Sequence, residues 1–528
     1  MPLLVKMVLA NDFCECMINY FLSKFCFLKR KLLRKNKARM MNKDNESLPI
    51  HNISYFFGKK KDMISEDCIN MMSNELNVPQ NLINSDLKRL MTGFRDDITC
   101  CLEYPYVDEF YRDSYYAFYS HKHAEYSRYC FRLSFFDSSV SEENFYSIDT
   151  TDKYYGYVVL RPTPKRIIGY TFISPLVYKE HNFSCCLCER TSSIMGLRLT
   201  TSAFPFSGQD GDVGSCSETS LVIMMDYFSR KYNRYKRLLP SDIAKYLSES
   251  NLEREYPSRG LNPDTISQLL HTYGFSVRIY ANSVNCENSN SIDENLCYDS
   301  DEFKKHLMTY IDSGFPVFVC TKKHAFLIIG KENKFPFDDP QLITMNDNDF
   351  PYKKIVYSDE IVSFIVPLSE RIYLDAEAVK PIEALEKIAN EYDQFFTFKS
   401  KSENIKIRLY LTTSRLFKDY IVKSKISKES RILICCTAMP RFVWVCEIID
   451  TTNIYRNYEE TPISSLCVFD ATECDDSYNY LLLAKTNSFL LIPTENGGKK
   501  KYSIHKTSND TLYPAINNLK GEHTKWQS

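Results

Sequence analysis

The tightest constraint on this chain lies between Glu302 and Leu368, where two apolar strands follow one another with almost nothing between them. FPVFVC (Phe315–Cys320) and HAFLIIG (His324–Gly330) are separated only by Thr321, Lys322 and Lys323. Only that short turn leads from the first strand to the second. QLITM (Gln341–Met345) returns on HAFLIIG through the loop KENKFPFDDP and ends in Asn346-Asp347-Asn348. EFKKHLMTYID (Glu302–Asp312) has helical spacing and a Gly314 stop, and IVSFIVPL (Ile361–Leu368) is expected to close the sheet. The expected class is therefore α+β, with a helix beside an antiparallel sheet.

A second stretch supplies chemistry. In QDGDVGSCSETSLVIMMDYFSRKY (Gln209–Tyr232), a loop rich in Gly and Asp runs into a single cysteine, Cys216. Leu221, Met224, Met225, Phe228 and Tyr232 then recur at steps of three and four, the spacing of one helix face. Ser215 and Glu218 form an S-x-x-E capping box, which makes Ser215 the N-cap and Cys216 the first helical residue. A thiol there sits at the positive end of the helix dipole, where its thiolate is favoured. The alternative is a small buried residue that happens to open a helix.

A thiolate nucleophile needs a base, a group to orient that base, and donors for an oxyanion. Among nine histidines, His324 alone opens a strongly apolar strand directly after another. A structural histidine at a strand end is the competing reading. The orienting residue is expected from the end of QLITM, with Asp347 first, Asn346 second, and Asp339 third because it lies at the far tip of the hairpin. Gln209 and the Cys216 backbone N–H are the expected oxyanion donors.

The whole chain bounds these readings. Its 528 residues allow roughly two to four domains. Lysine plus arginine (66) balances aspartate plus glutamate (67), so no overall basic field points to nucleic acid. Nineteen cysteines, an odd count with adjacent pairs such as Cys100-Cys101 and Cys435-Cys436, read as free thiols in a reducing, cytoplasmic setting. His121 and His123 form an HxH pair, and Cys185, Cys186 and Cys188 half of a zinc motif. Neither has further ligands at zinc-site spacing, so neither a metal nor an organic cofactor is expected.

Residues 1–50 form an apolar then basic extension, a membrane-surface anchor through 1–39 or a start called ahead of Met40 or Met41. Residues 51–204 read as helical and then β-rich, 205–368 as the core, and 369–528 as a C-terminal α/β domain with a strand at Ile432–Cys436.

Gln209, GSC at a helix start, G-x-P-V, H-A-F-L-I-I-G and then N-D after the next strand resemble the papain-like cysteine peptidases. The likeness is greatest to the bacteriocin-processing (double-glycine) branch. Gln209 stands one position further from Cys216 than is usual there, and Asn348 replaces the proline that usually follows the aspartate. The resemblance implies a nucleophile helix packed on an antiparallel β-sheet, flanked here by α/β domains. It assigns Cys216 as nucleophile, His324 as base, Asp347 as orienting residue and Gln209 as oxyanion amide. The expected function is a thiol-dependent hydrolase, a cysteine peptidase or isopeptidase, acting on a peptide or protein substrate. An acyltransferase or transglutaminase-like enzyme with the same triad, or a non-catalytic interaction module, are the alternatives; the oligomeric state is left open.

Overall fold

The computed structural model describes residues 53–147, 151–249, 260–283, 297–332, 340–392, 405–450, 462–474, 480–486, 489–494, 498–504 and 512–513. The N-terminal extension, Asp339 and most of the polar loop at 283–300 lie outside them.

Strands begin earlier than a reading of residues 51–204 as helical and then β-rich predicts. β1 (Ser54–Lys59) is followed by helices α1 (Glu66–Leu76) and α2 (Gln80–Met91). Then come β2 (Thr99–Tyr106), α3 (Glu109–Ala117), β3 (Cys130–Phe136), β4 (Tyr154–Leu160) and β5 (Ile168–Ile173). Every residue of β3 and β4 is buried; β4 falls on the apolar run YGYVVL (Tyr155–Leu160), while β3 lacks the alternation that would mark it in sequence. Next are β6 (Phe183–Cys185), a ribbon of β7 (Cys188–Ile194) and β8 (Leu197–Ala203), and β9 (Phe206–Ser207). The first sheet runs β1-β2-β3-β4-β5-β9, antiparallel throughout.

Helix α4 (Cys216–Lys231) leaves this sheet and is buried on nearly every side between Ser217 and Phe228. The sequence shows one apolar face, but the helix lies inside the molecule, so Asp226 is buried with it. Tyr170 Oη donates to Asp226 at 2.6 Å, and Arg230 and Arg237 pair with it at 2.8 and 2.9 Å. Burial alone would push this carboxyl up; the two guanidinium groups and the phenol hold it below its ordinary range.

After α5 (Pro240–Glu249) and α6 (Pro263–Thr272) the second sheet begins with β10 (Phe275–Asn282) and β11 (Cys297–Tyr298). Asn262 caps α6 by accepting from Thr265 N at 2.8 Å, as its place before Pro263 predicts. Helix α7 (Ser300–Asp312) precedes β12 (Val317–Thr321), β13 (Ala325–Glu332), β14 (Leu342–Met345), β15 (Lys353–Ile355) and β16 (Ile361–Ser369). The order is β11-β10-β16-β12-β13-β14-β15. β12 and β13 form a hairpin, and β13 pairs with β14 antiparallel, the pairing expected of HAFLIIG and QLITM. β16 does not close the sheet at an edge; it inserts between β10 and β12. An uninterrupted apolar run suits that central position.

β6 joins the N-terminal region to this sheet by pairing with the last residues of β13. The approach is close enough that a Cβ on Gly330 would fall 2.1 Å from Ser184 O. Only glycine fits there.

The C-terminal region holds α8 (Pro381–Tyr392), β17 (Ile405–Thr413), α9 (Ser414–Lys423), α10 (Lys428–Cys436) and five more strands. These are β18 (Phe442–Asp450), β19 (Ser465–Asp470), β20 (Leu481–Thr486), β21 (Phe489–Pro493) and β22 (Lys499–Ser503), joined with β17 in one antiparallel meander. The strand expected at Ile432–Cys436 is helix α10 instead. Ser427 caps it by accepting from Ser430 N, and five apolar residues are too few to separate the two periods. The meander is tied to the core by buried ion pairs. Asp312 meets Lys331 at 2.5 Å and Arg408 at 3.4 Å, and Arg408 meets Glu447 at 3.1 Å.

Among the described residues no helix is long and apolar enough to cross a membrane. Most described cysteines are free and buried, but Cys297 is disulfide-bonded to a partner outside the described residues, a departure from the free-thiol expectation.

Candidate active site

Cys216 is the first residue of α4 because the loop before it is held from three directions. Asp210, itself buried, accepts through Oδ1 from the N–H groups of Asp212, Val213 and Gly214 at 2.9, 2.9 and 3.3 Å. Lys165 donates to Gly211 O at 2.7 Å, and Asp212 pairs with Lys122 and Lys165. The capping box closes as the sequence predicts, with Ser215 N donating to Glu218 Oε2 at 2.7 Å. Ser217 Oγ then accepts from Leu261 N at 2.7 Å, which fixes the segment leading into α6 beside the first turn of α4.

His324 sits in the turn between β12 and β13. Its N–H donates to Thr321 Oγ1 at 3.1 Å, and its carbonyl accepts from Thr321 N at 2.8 Å. One turn into α4 from Cys216, Ser220 Oγ donates to Ala325 O at 3.5 Å, so the helix start and the histidine turn are registered against each other. The ring stacks with Phe326 at 5.9 Å between centroids. Cys216 lies near enough to His324 for the thiol to raise the pKa of the imidazole.

The far side of the imidazole meets the end of β14. His324 Nε2 is 2.7 Å from Asn346 Oδ1 and 3.5 Å from Asp347 Oδ1. Asn348 N also lies 3.0 Å from Asn346 Oδ1. A backbone N–H can only donate, so that atom is the amide oxygen, and the ring nitrogen facing it must carry a hydrogen. Nε2 is thereby the protonated nitrogen of the neutral ring, and Nδ1 is the basic one, with the Asn348 amide nitrogen 3.3 Å away as a donor to it. Of the three expected orienting residues, Asn346 makes the hydrogen bond. Asp347 stands beyond hydrogen-bond length but within Coulombic reach.

Burial pulls the His324 imidazolium down, but contact with Cys216, the bond to Asn346 and the Asp347 carboxylate together hold its pKa above the ordinary histidine value. Asp347 is nearly sealed from solvent, with its side chain 2% exposed. Its burial outweighs His324 and Arg166 and pushes the carboxyl up to about 6. Arg166 holds the same turn from behind, donating to Asp347 O at 2.6 Å.

Gln209 is half-buried directly after β9, and the carbonyl of Gly208 before it accepts from Arg161 at 2.6 Å. It is not among the groups that bond His324. Asp339 lies outside the described residues. Asp210, Ser220 and Asn348 have no motif to announce them; only Asp210, in D-G-D-V-G, carries a turn signal that a sequence reading could have weighed.

Among the described residues no group of three or more His, Cys, Asp or Glu side chains is placed to hold a metal ion, the pair His121 and His123 and the cysteines 185, 186 and 188 included. Comparison with protein-family models finds no match, and comparison with curated proteins finds none either.

Proposed function

We propose that this protein is a thiol-dependent hydrolase of the papain-like kind, a cysteine peptidase or isopeptidase acting on a peptide or protein amide. The observation that carries the reading is the imidazole of His324, bonded to Asn346 and near enough to Cys216 for the thiol to raise its pKa. In this reading Nδ1 of His324 takes the thiol proton as sulfur attacks the carbonyl carbon. The same proton is delivered to the leaving amine, and water resolves the thioester by the reverse route. Asn346 holds the ring and its tautomer, while Asp347 favours the imidazolium electrostatically. The N–H groups at the start of α4, with Gln209, are the donors for the tetrahedral oxyanion.

A peptide-library cleavage assay on the full chain, run beside Cys216→Ser and His324→Ala, tests this. Thiol-dependent cleavage by the native chain alone is the expected result. Equal, slow alkylation of Cys216 by iodoacetamide in native protein and in His324→Ala would show that the histidine does not activate the thiol, and would end the proposal.

A further inference from the structure

The turn that brings Asn346 and Asp347 to His324 leaves the end of β14 and is gripped from outside its own sheet. Arg166, in the turn between β4 and β5, donates from Nη1 to Asp347 O at 2.6 Å. Arg89, in the last turn of α2, donates to Asn348 O and stands 3.4 Å from Asp349 Oδ1. Two consecutive carbonyls of the turn therefore accept from guanidinium groups that lie 181 and 259 positions earlier in the chain. Arg166 is fixed in its own place. Its carbonyl accepts from Thr163 Oγ1, and the next amide, Ile167 N, donates to Asp86 Oδ2 at 3.0 Å. Asp86 lies on α2 with Arg89, so α2, the β4–β5 turn and the turn after β14 close a ring of contacts. The space left among them is only ≈ 20 Å³, room for about one water.

A charge-assisted bond fixes a carbonyl more firmly than a neutral donor does. The backbone of this turn matters because the orienting amide is tied to it. Asn348 N donates to Asn346 Oδ1, which also accepts from His324 Nε2. Charge acts together with position. The charged groups around Asp347 are His324 from the β12–β13 turn, Arg166 from the β4–β5 turn, Asp86 and Arg89 from α2, and Asp349 on its own turn. Asp86 is engaged by Ile167 N and Asp349 by Arg89. Burial pushes the Asp347 carboxyl up, and Arg166 with His324 opposes that rise.

We propose that Arg166 is a positioning residue for the Cys216–His324 site, gripping the Asn346–Asn348 turn from the first sheet with Arg89 as a second hold, so that the N-terminal region completes the site. This rests on the hydrolase reading. Arg166 acts through Asp347 rather than on the thiol or the imidazole. It keeps the turn in place and the carboxylate charged, and that charge favours the imidazolium that accompanies a Cys216 thiolate. Without the guanidinium, Asp347 holds its proton to higher pH and the thiolate forms later.

The test follows the rate of Cys216 alkylation by iodoacetamide against pH in the full-length protein, with the modified cysteine identified by mass spectrometry. Arg166→Gln keeps an N–H for Asp347 O but removes the charge. Its acid limb should move up by about one pH unit, which is roughly tenfold slower alkylation at a fixed pH on the limb. Arg166→Lys should restore the native limb. In an Asp347→Asn background, Arg166→Gln should add no further shift, because the group it acts through is gone. A loss of stability alone would lower the urea midpoint and leave the limb where it is. Arg89→Gln, at a guanidinium 44% exposed, is the second variant and should move the limb the same way by a smaller step. An unmoved limb in folded Arg166→Gln, or a shift that persists undiminished beside Asp347→Asn, overturns the proposal while His324→Ala still differs from the native profile. Should Arg166→Gln not fold, an unmoved limb in Arg89→Gln overturns it. Identical profiles in the native protein and His324→Ala would end the hydrolase reading and this inference together.

Discussion

At the scale of single residues, the informative contrast is between Asn346 and Asp347. The resemblance and the charge of a carboxylate both favour Asp347, yet the 2.7 Å contact to Nε2 belongs to Asn346. Asn346→Ala should therefore slow alkylation of Cys216 at neutral pH by at least about tenfold, because the ring loses its fixed tautomer. Asp347→Ala should slow it less; the reverse order would restore the carboxylate as the orienting group. Asp347 also sets a pH dependence. Its pKa is about 6 in the folded chain against an ordinary 3.8, so the fold favours the protonated form. The stability this brings is full below about pH 4 and is lost as pH rises through about 6. Asp347→Asn should accordingly match the native chain at pH 4 and exceed it by about 2–3 kcal/mol at pH 8. Urea unfolding at the two pH values checks this, and a gap that does not change with pH would refute it.

At the scale of elements, Gly330 closes HAFLIIG and permits β6 to lie against β13. Gly330→Ala should cost about 1–3 kcal/mol, since a Cβ 2.1 Å from Ser184 O forces the strands apart. Faster hydrogen exchange at Cys186 N, which donates to Ile329 O at 2.8 Å, should accompany the lower urea midpoint. Unchanged exchange would mean that β6 is held by other contacts. Elements with a strong local signal were legible beforehand. The α4 start showed in its capping box, the β12–β13 hairpin in its three-residue turn, and the Asn346–Asn348 turn in the end of QLITM. β3 was hidden because both of its faces are buried, and α10 because a short apolar run fits either period. What Asp210, Ser220 and Arg166 do for the site depends on residues 2 to 181 positions away, and no local pattern encodes that.

At the scale of the whole molecule, the buried cluster of Asp312, Lys331, Arg408 and Glu447 joins the C-terminal meander to the core. Asp312→Asn leaves Lys331 and Arg408 short of a counter-charge in a buried place and should destabilise the chain by about 3–5 kcal/mol. Calorimetry should then show the meander unfolding ahead of the rest; one coincident transition at the native midpoint would show that the cluster bears no such load.

β13 draws these ties together. Along one side it pairs with β12 and then, past Ile328, with β6, which the chain supplies well over a hundred residues earlier. Near the same end, Lys331 reaches the ion cluster of the C-terminal meander. A piece cut at 205–368 would keep Cys216 and His324 but leave the end of β13 with a bare edge and half of an ionic lattice. Bare edges recruit other strands. Such a segment is a poor unit to produce on its own, because the regions on either side of it supply part of what holds β13.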